Sequence, residues 1–160
     1  TINPDYLLVD TPGQVELFAY RESGPFFVKN IHGDEKINLF LYDGTMITSP
    51  SNFVSLSLLS TSIRLRLELP TINAITKTDL IQEKLNEVLE WSSSDYDLED
   101  QISKEVDGET LPLISDMFRS LNNNGFLEDL IPVSNATGEG MVNLESALSR
   151  IINLGEEVED

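Results

Sequence analysis

Asp10, Gly13 and Gln14 stand close together in Tyr6-Leu7-Leu8-Val9-Asp10-Thr11-Pro12-Gly13-Gln14, where an apolar run gives way to an acid and a tight turn. A carboxylate at the end of a buried parallel strand can hold Mg²⁺, directly or through a water. A glycine amide, with no side chain in the way, can donate to a terminal phosphate. The Gln14 amide is suited to orienting an attacking water. The string G-x-x-x-x-G-K-[ST], which grips nucleotide phosphates, occurs nowhere in the chain. The pattern is therefore expected to be the later part of a nucleotide-hydrolysing domain.

Two further strings complete the set. In Thr76-Lys77-Thr78-Asp79 the Asp79 carboxylate can accept the N1 and N2 protons of guanine, and the Lys77 stem can lie along the base plane. This is the N-K-x-D guanine pattern with Thr76 in place of Asn. In Ser134-Asn135-Ala136-Thr137-Gly138-Glu139-Gly140 the amides of a small-residue turn, at Ser134, Asn135 and Ala136, could reach the guanine O6. Each string alone has a plain structural explanation, as a helix-capping acid or a polar strand–helix junction. Three strings in order, each at the end of an apolar run, carry more weight than any one of them.

The elements that must position these residues alternate. Apolar runs at Asp5–Val9, Ile37–Tyr42, Thr71–Ile75 and Leu130–Val133 predict strands. Helical spacing is expected over Gln14–Asn30, kinked or split by Gly24-Pro25. Ser49-Pro50 predicts an N-cap and first helical residue, opening a long helix to Leu69 that Pro70 ends. Amphipathic helices follow at Ile81–Trp91, Pro112–Leu121 and Glu139–Leu154, with an acidic stretch over Ser92–Glu109 expected to be irregular or to hold one helical turn. Strands separated by helices mean a parallel sheet with right-handed crossovers, whose ligands bind outside the strands' carboxyl ends. All three strings fall at such ends.

A chain of 160 residues, 40% of them hydrophobic, is expected to form a single domain. No apolar run is long enough for a transmembrane helix, and neither a membrane nor a nucleic acid is an expected partner. A formal net charge of −18 argues against a nucleic-acid surface, which needs a basic stripe. The acids gather in Asp95–Glu109 and in the tail Glu156–Asp160. The absence of cysteine excludes disulfides and thiolate metal sites and suits a cytoplasmic protein. The lone His32 is expected to be a solvated loop residue.

On D-T-P-G-Q-V-E-L-F, L-P-T-I-N leading to T-K-T-D-L, and P-V-S-N-A-T-G-E-G-M-V-N-L-E-S-A-L, the chain resembles the GPN-loop GTPases, a P-loop family. The resemblance runs over essentially the whole chain but only the later part of a family member. It implies a three-layer αβα, P-loop-type parallel sheet, here a partial α/β domain of about four strands without the N-terminal strand–phosphate-loop–helix unit. It implies GTP hydrolysis with Mg²⁺ in the complete protein. Asp10 matches the magnesium-strand acid, Gly13 the γ-phosphate amide, Gln14 the residue near the attacking water, and Lys77 and Asp79 the base-reading pair. Family members form homodimers, and the eukaryotic ones are linked to polymerase assembly. The chain departs from the pattern at Thr76 and at Asn135-Ala136, which stands where Ala-Lys is usual. A non-catalytic assembly module that keeps the fold is the alternative expectation.

Overall fold

The computed structural model describes residues 6–11, 13–93, 98–106, 108–127 and 129–153. Its frame is a sheet of three parallel strands in the order β1-β2-β3, with β1 at Asn38–Asp43, β2 at Thr71–Thr76 and β3 at Ile131–Pro132. Asp43 lies beside Thr76 and Ile75 beside Pro132. The strands thus end together, and the chain leaves all of them on one rim of the sheet.

Helix α3, Pro50–Leu67, follows β1 and lies against one sheet face. It starts where expected: Ser49 is extended, its hydroxyl accepts the Asn52 N–H, and Pro50 occupies the first turn, where a missing N–H costs nothing. It ends at Glu68, which turns left-handed at φ 56° ahead of Pro70. Phe53, Val54 and Ile63 of α3 are buried with Phe40, Tyr42 and Ile75 of the sheet. Each such side chain contributes about 2 kcal/mol by leaving water. Ser60 Oγ donates to Asn73 Oδ1 at 2.7 Å, so the buried polar pair on this face is satisfied.

Outside α3 pack α4, Gln82–Ser92, α5, Glu99–Glu105, and α6, Thr110–Asn123. On β2's other face, Ile72 and Ala74 are buried, and α7, Met141–Asn153, meets this strand with Ala147 buried. The architecture is the expected α/β arrangement of parallel strands with flanking helices.

The fold departs from the sequence-based expectation at several points. The run Tyr6–Val9, expected to be the first buried strand, belongs to no strand, and Leu8 is 91% exposed. Asp5 lies outside the described residues. Apolar content alone does not make a strand, which also needs a hydrogen-bonding neighbour and covered faces. β1 is an edge of the described sheet, and Leu41 on it is 55% exposed.

The helical stretch Gln14–Asn30 is split, as Gly24-Pro25 suggested, but the break falls earlier. α1 covers Val15–Tyr20, Arg21 is extended, and α2 covers Ser23–Asn30 with Pro25 tolerated in its first turn. Within the acid-rich stretch expected to be irregular or to hold one helical turn, Leu98 and Ile102 are fully buried and α5 forms; residues 94–97 and 107 lie outside the described set. The acidic tail also lies outside it. His32 is exposed in a loop, as expected.

Candidate functional site

Three polar turns leave the rim of the sheet. After β1, Asp43-Gly44-Thr45 forms a single 3-10 turn over Gly44–Met46. After β2, Thr76 and Lys77 lead into another over Thr78–Leu80. After β3, Val133 N–H donates to Ile75 O at 2.9 Å and delivers Ser134 beside the second turn.

Asp79 and Ser134, 55 residues apart, meet there. Ser134 Oγ donates to Asp79 Oδ1 at 2.6 Å, and Ser134 is fully buried. The Ser134 hydroxyl also accepts the Thr137 N–H at 3.2 Å, which locks its direction. Among the described residues no protein donor reaches Asp79 Oδ2, so that oxygen is available to a ligand. The Ser134 N–H donates to Glu139 O at 3.0 Å and is spent within the loop. Asn135 and Ala136 lie in the exposed turn that follows, where a base edge could reach their amides. Gly140 closes this loop with φ 79°, and a Cβ there would lie 1.8 Å from Pro132 O. Only glycine fits.

Lys77 adopts a left-handed backbone at φ 57°, uncommon outside glycine. Its Nζ pairs with Asp43 Oδ2 at 2.6 Å. The other oxygen, Asp43 Oδ1, accepts from Thr45 N at 3.0 Å and Thr45 Oγ1 at 2.6 Å. The Lys77 ammonium and then the Thr45 hydroxyl hold the Asp43 carboxyl below the ordinary carboxylate range, against the opposing effect of burial. The Thr76 hydroxyl donates to Tyr42 O at 3.1 Å. Gly44 lets these two turns touch: a Cβ there would lie 2.7 Å from Thr76 O and 2.9 Å from Ile81 Cδ1.

The structure thus gathers Thr76, Lys77, Asp79 and Ser134, with Asn135 and Ala136 alongside. It adds Asp43 and Thr45, in the turn directly after β1. An acid directly after an apolar strand was the available signal, the same one that drew attention to Asp10.

Asp10, Gly13 and Gln14 stand apart from this group. All three are exposed, and none bonds to Lys77, Asp79 or Ser134 among the described residues. Gln14 opens α1, its carbonyl accepting the Leu17 N–H at 3.0 Å. Gly13 has open space where a Cβ would be. Among the described residues no cluster of three or more His, Cys, Asp or Glu could hold a metal ion. A single exposed carboxylate such as Asp10 fits Mg²⁺, which takes one or two carboxylates and is otherwise held by water and phosphate oxygens. No helix among them is long and apolar enough to cross a membrane.

Residues 1–154 match the model of a family described as "conserved hypothetical ATP binding protein". The chain is 30% identical over 157 residues to GPN-loop GTPase 2 of Saccharomyces cerevisiae, covering 91% of this chain and 45% of that protein. It is 34% identical over 85 residues to GPN-loop GTPase 3 of Candida glabrata, covering 51% of this chain and 31% of that protein. The chain therefore spans less than half the length of these relatives. A crystal structure of a GTPase in apo form from Pyrococcus abyssi superposes with a TM-score of 0.72 over 88% of this chain and 56% of its own, at 24% identity.

Proposed function

We infer the function from one premise: this chain belongs to the GPN-loop GTPase family. We propose that its strand-end turns form the base-reading half of a GTP site, and that a complete protein carrying them hydrolyses GTP to GDP and phosphate with Mg²⁺. The observation that supports this best is the Ser134–Asp79 hydrogen bond. It fixes one carboxylate oxygen and leaves the other to accept from the guanine N1 and N2 groups. Adenine has no donors at those positions, so Asp79 favours guanine even though the family description mentions ATP. Lys77 would cover the base plane, and Asn135 and Ala136 would offer amides to O6.

On the phosphate side, Asp10 would hold Mg²⁺, which would supply neutralisation of phosphate charge when bound. Gly13 N–H would donate to the γ-phosphate, and Gln14 would orient the attacking water. The chain's formal charge of −18 opposes a triphosphate, and no G-x-x-x-x-G-K-[ST] is present to offset it. By itself this chain should be catalytically silent. A homodimer and a protein-assembly partner are part of the same proposal, by likeness to the family.

A second reading, a GTPase-like assembly module without nucleotide chemistry, draws support from Thr76, whose hydroxyl is spent on Tyr42 O, and from the exposed Tyr6–Val9 run. Asp79→Asn in the full-length protein carrying this chain separates the two. An amide at this position can donate to the O2 of xanthine, so guanine binding should fall while xanthosine-nucleotide binding rises. Unchanged nucleotide preference would refute the base-reading role.

A further inference from the structure

Asp43 is not part of the motifs that identified this site, yet it makes the only ion pair to Lys77 among the described residues, at 2.6 Å. Its geometry is over-determined for a surface contact. Thr45 donates twice to Oδ1, which fixes the plane of the carboxylate and turns Oδ2 toward Lys77. Gly44 brings the turn carrying Asp43 against Thr76, where a Cβ would be 2.7 Å from the carbonyl, and the Thr76 hydroxyl ties the same two turns at Tyr42 O. A lysine side chain has high rotamer entropy, and a ligand must offset it if the stem is ordered only on binding. The pair adds little to stability, since the Lys77 and Asp43 side chains remain 53% and 29% exposed. Its consequence is orientation.

We propose that Asp43 is a positioning residue for nucleotide binding: held by Thr45, it fixes Lys77 so that the lysine stem is pre-set beside the base-reading Asp79. This rests on the base-site reading above and adds to it a tie between the base loop and the end of β1, made by Asp43 and the Thr76 hydroxyl. Asp43 does not touch the base. It acts on the ring face through Lys77, whereas Asp79 reads the ring edge.

The test is a double-mutant cycle in the full-length protein carrying this chain, measuring displacement of a fluorescent GDP by GDP, IDP and ADP. Asp43→Asn keeps an acceptor for Thr45 but removes the charge, and Lys77→Met keeps an apolar stem without the ammonium. Asp43→Asn should weaken GDP and IDP about threefold each, leaving their ratio unchanged, because face contacts are shared while the N2 group is read elsewhere. In the Lys77→Met background the same substitution should have no further effect. Unaltered GDP affinity in Asp43→Asn, or additive losses in the double variant, would overturn the positioning role. A parent protein with no preference for GDP over ADP would instead overturn the base-site reading, and the proposal with it. Thermal unfolding of each variant separates loss of fold from loss of positioning.

Discussion

Ser134 Oγ donates a 2.6 Å hydrogen bond to Asp79 Oδ1, joining the turn after β3 to the turn after β2. Ser134 is fully buried, so its hydroxyl has no water to exchange with. Ser134→Ala should leave Asp79 free to rotate and lower guanine-nucleotide affinity by about fivefold, or ~1 kcal/mol, in the full-length protein. Displacement of labelled GDP measures this. The fold should survive, since the Ser134 N–H bond to Glu139 O is a backbone contact.

Gln14 opens α1 without a side-chain capping bond. If it orients the attacking water, Gln14→Ala should lower kcat by about tenfold or more while leaving GTP affinity nearly unchanged, because that contact matures only in the transition state. Single-turnover hydrolysis and equilibrium binding together check this. An equal loss in both would indicate a ground-state or structural role.

Gly140 is the most constrained backbone position on the rim, with φ 79° and no space before Pro132 O. Gly140→Ala should destabilise the chain by roughly 2 kcal/mol or more, from left-handed strain and a backbone clash that must open the β3–α7 junction. Urea unfolding of this chain reads it directly. Gly13→Ala, at an open position, should be close to neutral in the same assay.

Asp43 predicts a pH dependence of known sign. Its carboxyl lies below the ordinary 3.8, first because of Lys77 and then because of Thr45. A carboxylate with a depressed folded pKa gives stability that is present above the unfolded value and lost as pH falls through the folded one. The stability difference between the parent chain and Asp43→Asn should therefore be constant from neutral pH down to about pH 5. It should shrink below 3.8, and stay under ~1 kcal/mol throughout because the pair is partly exposed.

Much of this fold was legible from local chemistry. Ser49-Pro50 and Pro70 bracket the longest helix, and β2 ends where Ile75-Thr76 passes into Lys77. These are decisions made within a few residues. What was illegible depends on distant neighbours. Tyr6–Val9 has the composition of a buried strand but lies outside the sheet. Leu98 and Ile102, four apart among acids, carry the signal for α5, which acid-rich surroundings masked. At the candidate site, strand-end strings single out Thr76, Lys77, Asp79 and Ser134, and the structure brings them to one rim. Asp43 was missed because its meaning lies in Lys77, which the sequence places 34 residues away and β1–β2 pairing brings alongside.

The most direct measurement is competition for labelled GDP on the full-length protein carrying this chain, with Mg²⁺ present and unlabelled GTP and ATP as competitors. GTP should displace the probe at far lower concentration than ATP, and Asp79→Asn should abolish that difference. Equal displacement by ATP, or a GTP preference that persists in Asp79→Asn, would contradict guanine reading by the Lys77–Asp79 turn.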